Sequence, residues 1–466
     1  MSDPLAALAR LDGESWLVGG AVRDRLLRRP TADFDVAVDG DPRRVARHLA
    51  RAANGHCFEL SEGFGAWRVV AHDHSWQVDL LAVWGGRIEA DLGKRDFTVN
   101  AIAEPIQGGP YVDPFGGLED LRRRRLRTVS GGSFVEDPLR TLRLARLACE
   151  LDFTIDPDTG ALARASAPAL DTVAPERIFA ELKRIVASDR VLEGIDLLDS
   201  LEALDVILPE LAGLRGVEQS KFHHLDVHEH TRLVLAETVG LERAPEQAFG
   251  EHAAALVAFL GEPLANELTR GQALRFGALL HDVAKPQTRA VTAEGRVTFL
   301  GHDAVGAEVA AAVLARLRAS QRLATYVSGL VRHHLRLGFL VHEMPLSRRA
   351  IYRYLRACDP VQADVTVLSV ADRLATRGRG SEQAIARHLQ LGREMLGEAL
   401  AWHAARPSPL LRGGDLARVL SMPPGPDLGW MLEELEEASF AGEIASREEA
   451  IERARELMSS RHGGDR

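Results

Sequence analysis

The chain has 466 residues, of which 46% are hydrophobic and 27% are charged. That length exceeds one compact core, so we expect two to four domains, and the composition excludes fibrous and wholly disordered proteins. Since no apolar run reaches eighteen residues and the N-terminus lacks the pattern of a secretion signal, we expect neither a membrane span nor export. Three widely spaced cysteines indicate a reducing compartment, most simply the cytoplasm. The net charge of -10 excludes a uniformly basic nucleic-acid surface but permits a local basic groove.

The pattern of hydrophobic residues changes along the chain. Short β-like runs such as SWLV, DFDVAV, AWRVVAH and WQVDLLAV alternate with glycine-rich turns up to about residue 120. After about residue 134, apolar residues recur at helical spacing. We therefore predict the α+β class, with a small N-terminal α/β head containing a mixed sheet and a long all-α body. The predicted domains are the head (1–133), a helical neck (134–220), a histidine-rich helical domain (221–376) and a helical C-terminal region (377–466).

A pair of glycines lies at a predicted strand-to-helix turn. Gly19 and Gly20 would let backbone N–H groups approach an anion closely, and the helix N-terminus adds positive potential. Arg23, one turn further on, could reach a phosphate with a forked contact. By itself this pattern is more often purely structural.

Carboxylates recur on two of the predicted strands. Alternation along DFDVAV puts Asp33 and Asp35 on one face, and such a pair is unfavourable unless a cation lies between them. Asp79 in WQVDLL could supply a third carboxylate. Oxygen ligands of this kind suit Mg²⁺, and two such ions could activate a hydroxyl and hold a nucleotide triphosphate. An isolated pair of this kind would favour a solvated strand edge instead.

Six motifs in order complete the N-terminal pattern: GGAVRD, DFD, KRDFTVNAIA, DPFGGLEDLRRRRLRTV, FVEDPLRTLRLARLACELDFTI and APERIFAELKRI. Together they resemble the bacterial class of tRNA nucleotidyltransferases and poly(A) polymerases. The resemblance covers residues 14–215 closely and resumes in the C-terminal stretch that begins RGGDLARVL. It implies a nucleotidyltransferase head, with tRNA, CTP and ATP as candidate partners and Mg²⁺ as the cofactor.

The resemblance also implies a role for each matching residue. Asp33 and Asp35 match the metal-binding pair, with Asp79 as the third acidic residue. The remaining positions match the triphosphate turn (Gly19, Gly20, Arg23), the ribose-recognising motif (Arg95, Asp96, Asn100), the base-reading residues (Asp137, Arg140), the helix that braces them (Glu176, Arg177) and the hinge (Asp113, Gly116, Gly117). Lys94 departs from the arginine that the family commonly has there.

The base-reading assignment has a physical basis of its own. Aspartate only accepts hydrogen bonds and arginine only donates them, so Asp137 and Arg140 on one helix face could imitate a complementary base edge. Without the surrounding motif, a surface salt bridge would be the favoured interpretation.

The length of the segment between the Asp79 strand and Arg95 indicates which nucleotides are added. As the resemblance has it, enzymes that build the whole CCA end carry a flexible loop there, and CC-adding enzymes have a shortened one. In this chain LLAVWGGRIEADLGKRD leaves only a few residues beyond strand and helix. We therefore predict CC addition, with full CCA addition second and poly(A) synthesis third.

A run of arginines follows the hinge and is the strongest local basic cluster. Alone it would be a solvated or salt-bridged face, but next to a nucleotidyltransferase head it predicts contacts with acceptor-stem phosphates. The proposed RNA-binding residues are Arg122, Arg123, Arg124 and Arg125.

The histidine-rich domain carries a second set of candidate ligands, since ten of the 17 histidines lie between His223 and His342. A His-Asp doublet with an upstream histidine and a distant aspartate resembles the HD phosphohydrolase superfamily. That resemblance implies Mn, Fe, Ni, Co, Zn or Mg at His230, His281, Asp282 and Asp372, a second metal at His302, His333 and His334, and phosphate stabilisation by Lys285. We expect His223, His224 and His342 not to be ligands.

The favoured hypothesis is nucleotide addition with accessory phosphate hydrolysis. Two other hypotheses compete with it. One makes hydrolysis the main activity, on a phosphodiester or 2′,3′-cyclic phosphate at an RNA end. The other is RNA binding without catalysis. The intact Asp33 and Asp35 pair argues against both.

Overall fold

The computed structural model describes residues 3–11, 13–61, 65–219, 225–376 and 381–462. The chain divides into two compact units, Met1–Ile207 and Leu208–Arg466. No helix among the described residues is both long enough and apolar enough to cross a membrane. The three cysteines are all free.

The first unit is built on a mixed six-stranded sheet with helices and short 3₁₀ turns around it. The strands are β1 Ser15–Val18, β2 Asp33–Val38, β3 Gly55–Ser61, β4 Ala66–Ala71, β5 Gln77–Ala82 and β6 Ala103–Pro105, with a small pair β7 Arg125–Leu126 and β8 Thr154–Ile155. The helices are α1 Pro4–Leu8, α2 Gly20–Leu26, α3 Pro42–Ala52, α4 Ile88–Leu92, α5 Gly117–Arg122, α6 Ser133–Glu136, α7 Arg140–Leu151, α8 Pro157–Ser166, α9 Pro175–Ala187, α10 Val191–Ser200 and α11 Leu204–Ile207.

Strand order in the large sheet is β3-β4-β5-β2-β1-β6. The β2–β5 pair is parallel and places Asp35 beside Asp79, while β1 pairs antiparallel with β2 and places Val18 beside Asp35. The four predicted strands are therefore present, and the predicted fold class is confirmed. The edge strand β3 was not predicted, because its sequence GHCFELS has no regular apolar alternation.

The second unit is almost entirely helical. Its helices are α12 Pro209–Ala212, α13 Val227–Arg243, α14 Glu246–Phe249, α15 Ala253–Leu260, α16 Arg270–Leu280, α17 Lys285–Thr288, α18 His302–Arg316, α19 Gln321–His333, α20 Arg336–Leu340, α21 Arg348–Cys358, α22 Gln362–Ala375, α23 Ser381–Ala404, α24 Gly413–Leu420, α25 Pro426–Phe440 and α26 Arg447–His462. Two short antiparallel pairs complete it: β9 Pro263–Ala265 with β10 Leu268–Thr269, and β11 Ala290–Val291 with β12 Val297–Thr298.

The core of the second unit surrounds α22, which is buried along most of its length. Its sequence QADVTVLSVADRLA is apolar on nearly every side, as a central helix requires, and it packs against α13, α16 and α23. The buried Asp364 of this helix is paired with Arg270 at 3.0 Å and accepts a hydrogen bond from Tyr326 at 2.7 Å. This packing holds Asp372, two turns further along α22, next to the histidines of the neighbouring helices.

Candidate active sites

The glycine turn of the first unit lies directly against the aspartate strand. Gly19 follows β1 with a φ of +73°, and a Cβ at this position would lie 2.6 Å from Nη1 of Arg95 and 3.2 Å from Oδ2 of Asp35. Any other residue would be strained in this conformation and would displace one of these two side chains. Glycine thus allows the turn to pack closely on the predicted metal-binding group.

Asp33 and Asp35 lie on the same face of β2, and neither forms an ion pair within the described ranges. Burial raises the pKa of Asp35, and the neighbouring Asp79 and Asp33 add to this, while Arg95 opposes it. Carboxylates crowded in this way favour a divalent cation between them, and their oxygens are the ligands that Mg²⁺ prefers. The residues present therefore fit the predicted Mg²⁺ site.

Asp79 lies next to Asp35 as expected, but its carboxylate is already paired. Nε and Nη2 of Arg68, on the antiparallel neighbour β4, donate to its two oxygens at 2.6 and 2.7 Å. The structure thus brings the third carboxylate to the site without leaving it free for a metal. Arg68 was missed because its cross-strand position becomes visible only when the register of β4 and β5 is known.

Arg23 points inward rather than towards a phosphate, which differs from the expected forked contact. It is buried, and its guanidinium donates to both carboxylate oxygens of Asp24 and to Oδ1 of Asn100 at 2.7 Å. A buried guanidinium needs such partners, because an unpaired charge in the interior is costly. The amide of Asn100 in turn donates to Asp96 at 2.9 Å.

Asp96 connects the predicted ribose motif to α7. It accepts a hydrogen bond from the Phe97 N–H and pairs with Arg143 at 3.1 Å. Burial opposes its charge, but Arg143 and Asn100 hold the pKa of this carboxyl below its usual value. Arg95 of the same motif pairs with Asp91 at 3.2 Å and remains close to the glycine turn.

The two predicted base-reading residues do not share a helix face. Asp137 lies in the turn that ends α6, and Arg140 is the first residue of α7. Asp137 pairs with Arg177 of α9 at 2.8 Å, and Arg140 donates to the carbonyl oxygen of Lys94 at 2.6 Å. The expectation of one helical surface was wrong, because Pro138 between them interrupts the helix. Glu176 precedes Arg177 in the first turn of α9.

The predicted hinge residues form the start of α5. Asp113 accepts hydrogen bonds from the N–H groups of Gly117 and Leu118 at 2.7 and 2.9 Å. A Cβ at Gly117 would lie 2.1 Å from the carbonyl oxygen of Thr98, so only glycine fits this close contact. Gly116 has a φ of +75° at the same turn.

The arginine run is extensively ion-paired. Arg122 and Arg123 both contact Glu119, while Arg124 contacts Asp152 at 3.0 Å. Arg125 instead turns inward to Asp120 at 2.6 Å. The sequence predicted phosphate contacts from all four arginines. In the structure three of them are exposed, and Arg125 is paired with a buried carboxylate.

In the second unit, five helices bring together a buried cluster of histidines around Asp282. His230 comes from α13, His281 and Asp282 follow α16, His302 begins α18, His334 follows α19, and Asp372 lies on α22. Two groups have ligand atoms all within 4.8 Å of one another: His230 with His281 and Asp282, and Asp282 with His302 and His334. Nε2 of His230 lies 3.0 Å from Asp372.

Three of these histidines are oriented by main-chain carbonyl groups. The Nδ1 atoms of His281, His302 and His334 lie 2.8, 2.7 and 2.6 Å from the carbonyl oxygens of Ala278, Phe299 and Val331. Each Nδ1 contact turns the Nε2 atom of the same ring towards Asp282, which is the usual orientation of a metal-binding histidine. Burial lowers the pKa of His334 to about 4, so this ring is neutral at physiological pH.

The donor set fits a divalent metal. Nε2 of His281 is buried and forms no hydrogen bond of acceptable geometry in the described part of the chain, although Oδ2 of Asp282 is 3.1 Å away. Burial opposes the charge of Asp282, but His281 and Lys285 hold its pKa well below the usual value. Mixed imidazole and carboxylate ligands suit the first-row transition metals.

His333 does not belong to this cluster, contrary to the prediction. Its side chain is only partly buried, and its Nδ1 accepts a hydrogen bond from Arg336 at 2.9 Å. Consecutive residues of a helix point about 100° apart, so His334 is turned towards the cluster and His333 is not. Lys285 does lie beside the cluster as predicted, since its Nζ is 2.6 Å from Oδ2 of Asp282. His342 lines the adjoining cavity, while His223 and His224 lie outside the described residues.

His388 of α23 was missed by sequence reasoning. It is buried beside the same cavity, where its Nε2 lies 3.2 Å from the Ser369 hydroxyl, and burial lowers its pKa to about 4. No HD-type spacing points to a histidine so far beyond Asp372.

An aspartate pair on a mixed sheet beside a glycine turn defines a metal-dependent nucleotidyltransferase head, and the second unit adds an HD-type metal cluster. Family models agree: the poly A polymerase head domain matches residues 15–83 and 71–127, and the HD domain matches residues 251–377. A third model, the probable RNA and SrmB-binding site of polymerase A, matches residues 152–214.

Two curated proteins resemble the chain along nearly its whole length. The A-adding tRNA nucleotidyltransferase of Deinococcus radiodurans is 37% identical and covers 93% of each chain. The CC-adding tRNA nucleotidyltransferase of Thermus thermophilus is 35% identical, and the alignment covers 94% of this chain and 92% of the Thermus protein. The chain belongs to the family of bacterial tRNA nucleotidyltransferases and poly(A) polymerases, as its motifs predicted.

Solved structures show the same fold. The Thermotoga maritima CCA-adding enzyme complexed with tRNA has a TM-score of 0.62 at 19% identity, covering 97% of this chain and 94% of that one.

Proposed function

We propose that the protein adds CMP residues to the 3′ end of tRNA, with no nucleic-acid template. The observation that carries this proposal is the pair Asp33 and Asp35 against the Gly19 turn, in a chain 35–37% identical to tRNA nucleotidyltransferases. The terminal hydroxyl of the RNA attacks the α-phosphorus of CTP, a phosphodiester bond forms and pyrophosphate leaves.

The residues of the head divide this work among themselves. Asp33 and Asp35 would hold Mg²⁺, which when bound favours the ionised hydroxyl and offsets the triphosphate charge. Gly19 and Gly20 present main-chain N–H groups to the triphosphate, and Arg95 is the cation nearest to this turn. Asp137 and Arg140 present acceptor and donor groups to the base, each fixed by its own contacts.

The CC specificity rests on the segment from the end of β5 to Arg95. Residues 83–94 form a 3₁₀ turn and the short helix α4, whose Ile88 and Leu92 are buried in a cluster with Val18 and Ala37. A packed connection of this kind has little freedom to rearrange the pocket for a second nucleotide. Addition of a single A to tRNA ending in CC is the second candidate, because the Deinococcus relative carries that name.

One assay tests both candidates. The protein is incubated with Mg²⁺ and either labelled CTP or labelled ATP, first with tRNA lacking CCA and then with tRNA ending in CC. We expect two CMP additions to the first substrate and no AMP addition to the second. Asp35→Asn should abolish incorporation, and Arg184→Met, far along α9, serves as the unaffected control. If AMP is added to tRNA ending in CC and CMP is not added to tRNA lacking CCA, the protein is an A-adding enzyme and not a CC-adding one. No incorporation of either nucleotide would refute the proposal.

The arginine run supports binding of the tRNA itself. Arg122, Arg123 and Arg124 keep exposed guanidinium groups even though each is near a carboxylate, so they remain available to phosphates. We expect Arg122→Ala with Arg123→Ala to weaken tRNA binding and flatten its salt dependence. Unchanged affinity at low salt would exclude this surface.

For the second unit we propose a metal-dependent phosphohydrolase acting on phosphate esters at RNA ends. The supporting observation is the buried cluster of oriented histidines around Asp282, with Lys285 beside it. Two reactions test this role, each measured with Mn²⁺, Ni²⁺, Co²⁺, Zn²⁺ or Mg²⁺: hydrolysis of 2′,3′-cyclic CMP to 2′- or 3′-CMP, and release of phosphate from 3′-CMP. Activity that is retained in Asp35→Asn and lost in Asp282→Asn supports it; no hydrolysis with any of these metals contradicts it.

A further inference from the structure

A cavity of about 610 Å³ opens beside the metal-binding cluster of the second unit. Asp282 and Asp372 line it, as do Leu300 and Phe339, which are 86% and 68% exposed. A volume of this size holds a mononucleotide-sized ligand. The charged residues of the lining are Asp282, Lys285, Asp303, Asp372 and Arg373.

Arg373 has spare hydrogen-bonding capacity in this cavity. It follows Asp372 on α22 and forms no ion pair with any residue that the structure describes, and its Nε is buried without a hydrogen-bond partner. A buried N–H group left unpaired is costly, so a ligand acceptor at this position would be favourable. A guanidinium presents several donors in a geometry that matches phosphate oxygens.

Two other basic side chains of the lining are already engaged. Nζ of Lys285 lies 2.6 Å from Asp282 and donates to Gln219 at 2.7 Å. His388 bonds to Ser369 and is uncharged at neutral pH. Of the two Lys and Arg side chains in the described lining, Arg373 is therefore the one that is available to an incoming anion.

The exposed ring of Phe339 supplies the second half of a nucleotide site. Phe339 lies on the short helix α20 and lines the same cavity, where its ring is accessible to a ligand. Nucleobases stack on such rings regardless of sequence.

We propose that this cavity binds a nucleoside phosphate, with a phosphoryl oxygen on Arg373 and the base stacked on Phe339. The assignment rests on the proposed phosphohydrolase function of this unit and names the two side chains that recognise its substrate. Both a free nucleotide and the last nucleotide of an RNA carry this chemistry. Arg373 acts on the phosphate and Phe339 on the base, so the two side chains make separate contributions to affinity.

Titration calorimetry with inorganic phosphate, 3′-CMP and a short RNA ending in a 3′-phosphate tests the assignment on the full chain. Arg373→Gln should weaken binding of all three ligands by about tenfold to a hundredfold. Phe339→Ala should weaken 3′-CMP and the RNA by about fivefold or more and leave inorganic phosphate unchanged. Arg322→Gln, an exposed arginine on α19 outside the cavity, is the matched control.

The two experiments fail in distinguishable ways. Binding is measured without turnover, so a protein that binds 3′-CMP through Arg373 but hydrolyses nothing refutes the phosphohydrolase and not the site. Phosphate affinity that is equal in Arg373→Gln and Arg322→Gln, with equal melting temperatures, overturns the role of Arg373. Equal loss of phosphate and 3′-CMP binding in Phe339→Ala overturns the stacked base. A preference for the RNA over 3′-CMP identifies the RNA end as the ligand source.

Discussion

Asp137 is held in place by a single guanidinium from another helix. Arg177 contacts it at 2.8 Å, and the carboxylate also accepts the N–H of Leu139 at 3.3 Å. The side chain of Arg177 is 53% exposed, so the ion pair is worth little to stability. Its effect is to restrict the direction in which Asp137 presents its oxygens to a base.

Arg177→Met should therefore act on substrate recognition rather than on folding. We expect the KM for CTP to rise by about twofold to fivefold with a smaller change in kcat, because the loss of an exposed pair releases Asp137 without removing it. Steady-state kinetics of CMP addition provides the measurement. Arg184→Met is the matched control, since Arg184 lies on the same helix with the same 53% exposure and pairs with Glu150. Equal kinetics of the two variants would contradict a positioning role.

His388 affects stability through its protonation. Burial lowers its pKa to about 4 from the ordinary value of 6.5, with Arg373 opposing the charge and Asp372 favouring it. The unfolded chain therefore binds the proton more readily than the folded one, and stability from this residue is lost as pH falls from 6.5 to 4.

His388→Gln should lower the pH dependence of unfolding in that window. We expect the wild-type free energy of unfolding to decline by about 1–3 kcal/mol more than that of the variant between pH 6.5 and 4. Urea unfolding of both proteins at several pH values measures this difference. Both proteins carry the same carboxylates, so the contributions of these groups cancel in the comparison. Parallel curves for the two proteins would show that His388 protonates in the folded state as it does in the unfolded one.

At the scale of the element, α5 and the arginines after it share a buried carboxylate. Asp120 is only 1% exposed, and Thr98, Arg125 and Arg127 all contact it. Burial opposes its charge, but these contacts lower its pKa below the ordinary value. The arginine run is thus partly a structural joint between α5 and β7, which its sequence alone does not indicate.

Arg125→Ala should destabilise the protein more than Arg123→Ala. The first change removes a partner of a buried carboxylate, at a cost of about 1–3 kcal/mol, whereas the second removes an exposed pair worth less than about 1 kcal/mol. The free energy of unfolding in urea gives both values. If the two variants prove equally stable, Arg127 and Thr98 are sufficient for Asp120.

At the scale of the molecule, the chain forms two compact units with different metal chemistry. The aspartate pair of the first unit offers only oxygen ligands, while the cluster of the second offers imidazole nitrogens together with carboxylates. A tightly bound metal stabilises the unit that holds it through mass action.

Mn²⁺ added to EDTA-treated protein should raise the unfolding temperature of the second unit. At a free Mn²⁺ concentration of about a hundred times Kd, the free energy of unfolding should rise by about 2.7 kcal/mol, because the ion binds the folded cluster and not the unfolded chain. Differential scanning calorimetry measures the shift. Asp282→Asn should abolish it and Asp35→Asn should retain it; a shift that survives in Asp282→Asn places the ion elsewhere.

The sequence by itself determined the family and the fold class, and it predicted most residues of the two candidate sites. Strand alternation, helical periodicity and motif order are local properties, so Asp33, Asp35 and the His281–Asp282 doublet could be recognised from spacing. Only the tertiary structure decided which polar side chains are free to act. Arg23, Asp79 and Arg125 are engaged by carboxylates or arginines, Arg373 remains unpaired among the described residues, and His334 faces the cluster while His333 does not. Pairing and burial depend on how distant elements pack, and this information is absent from the spacing of residues along the chain.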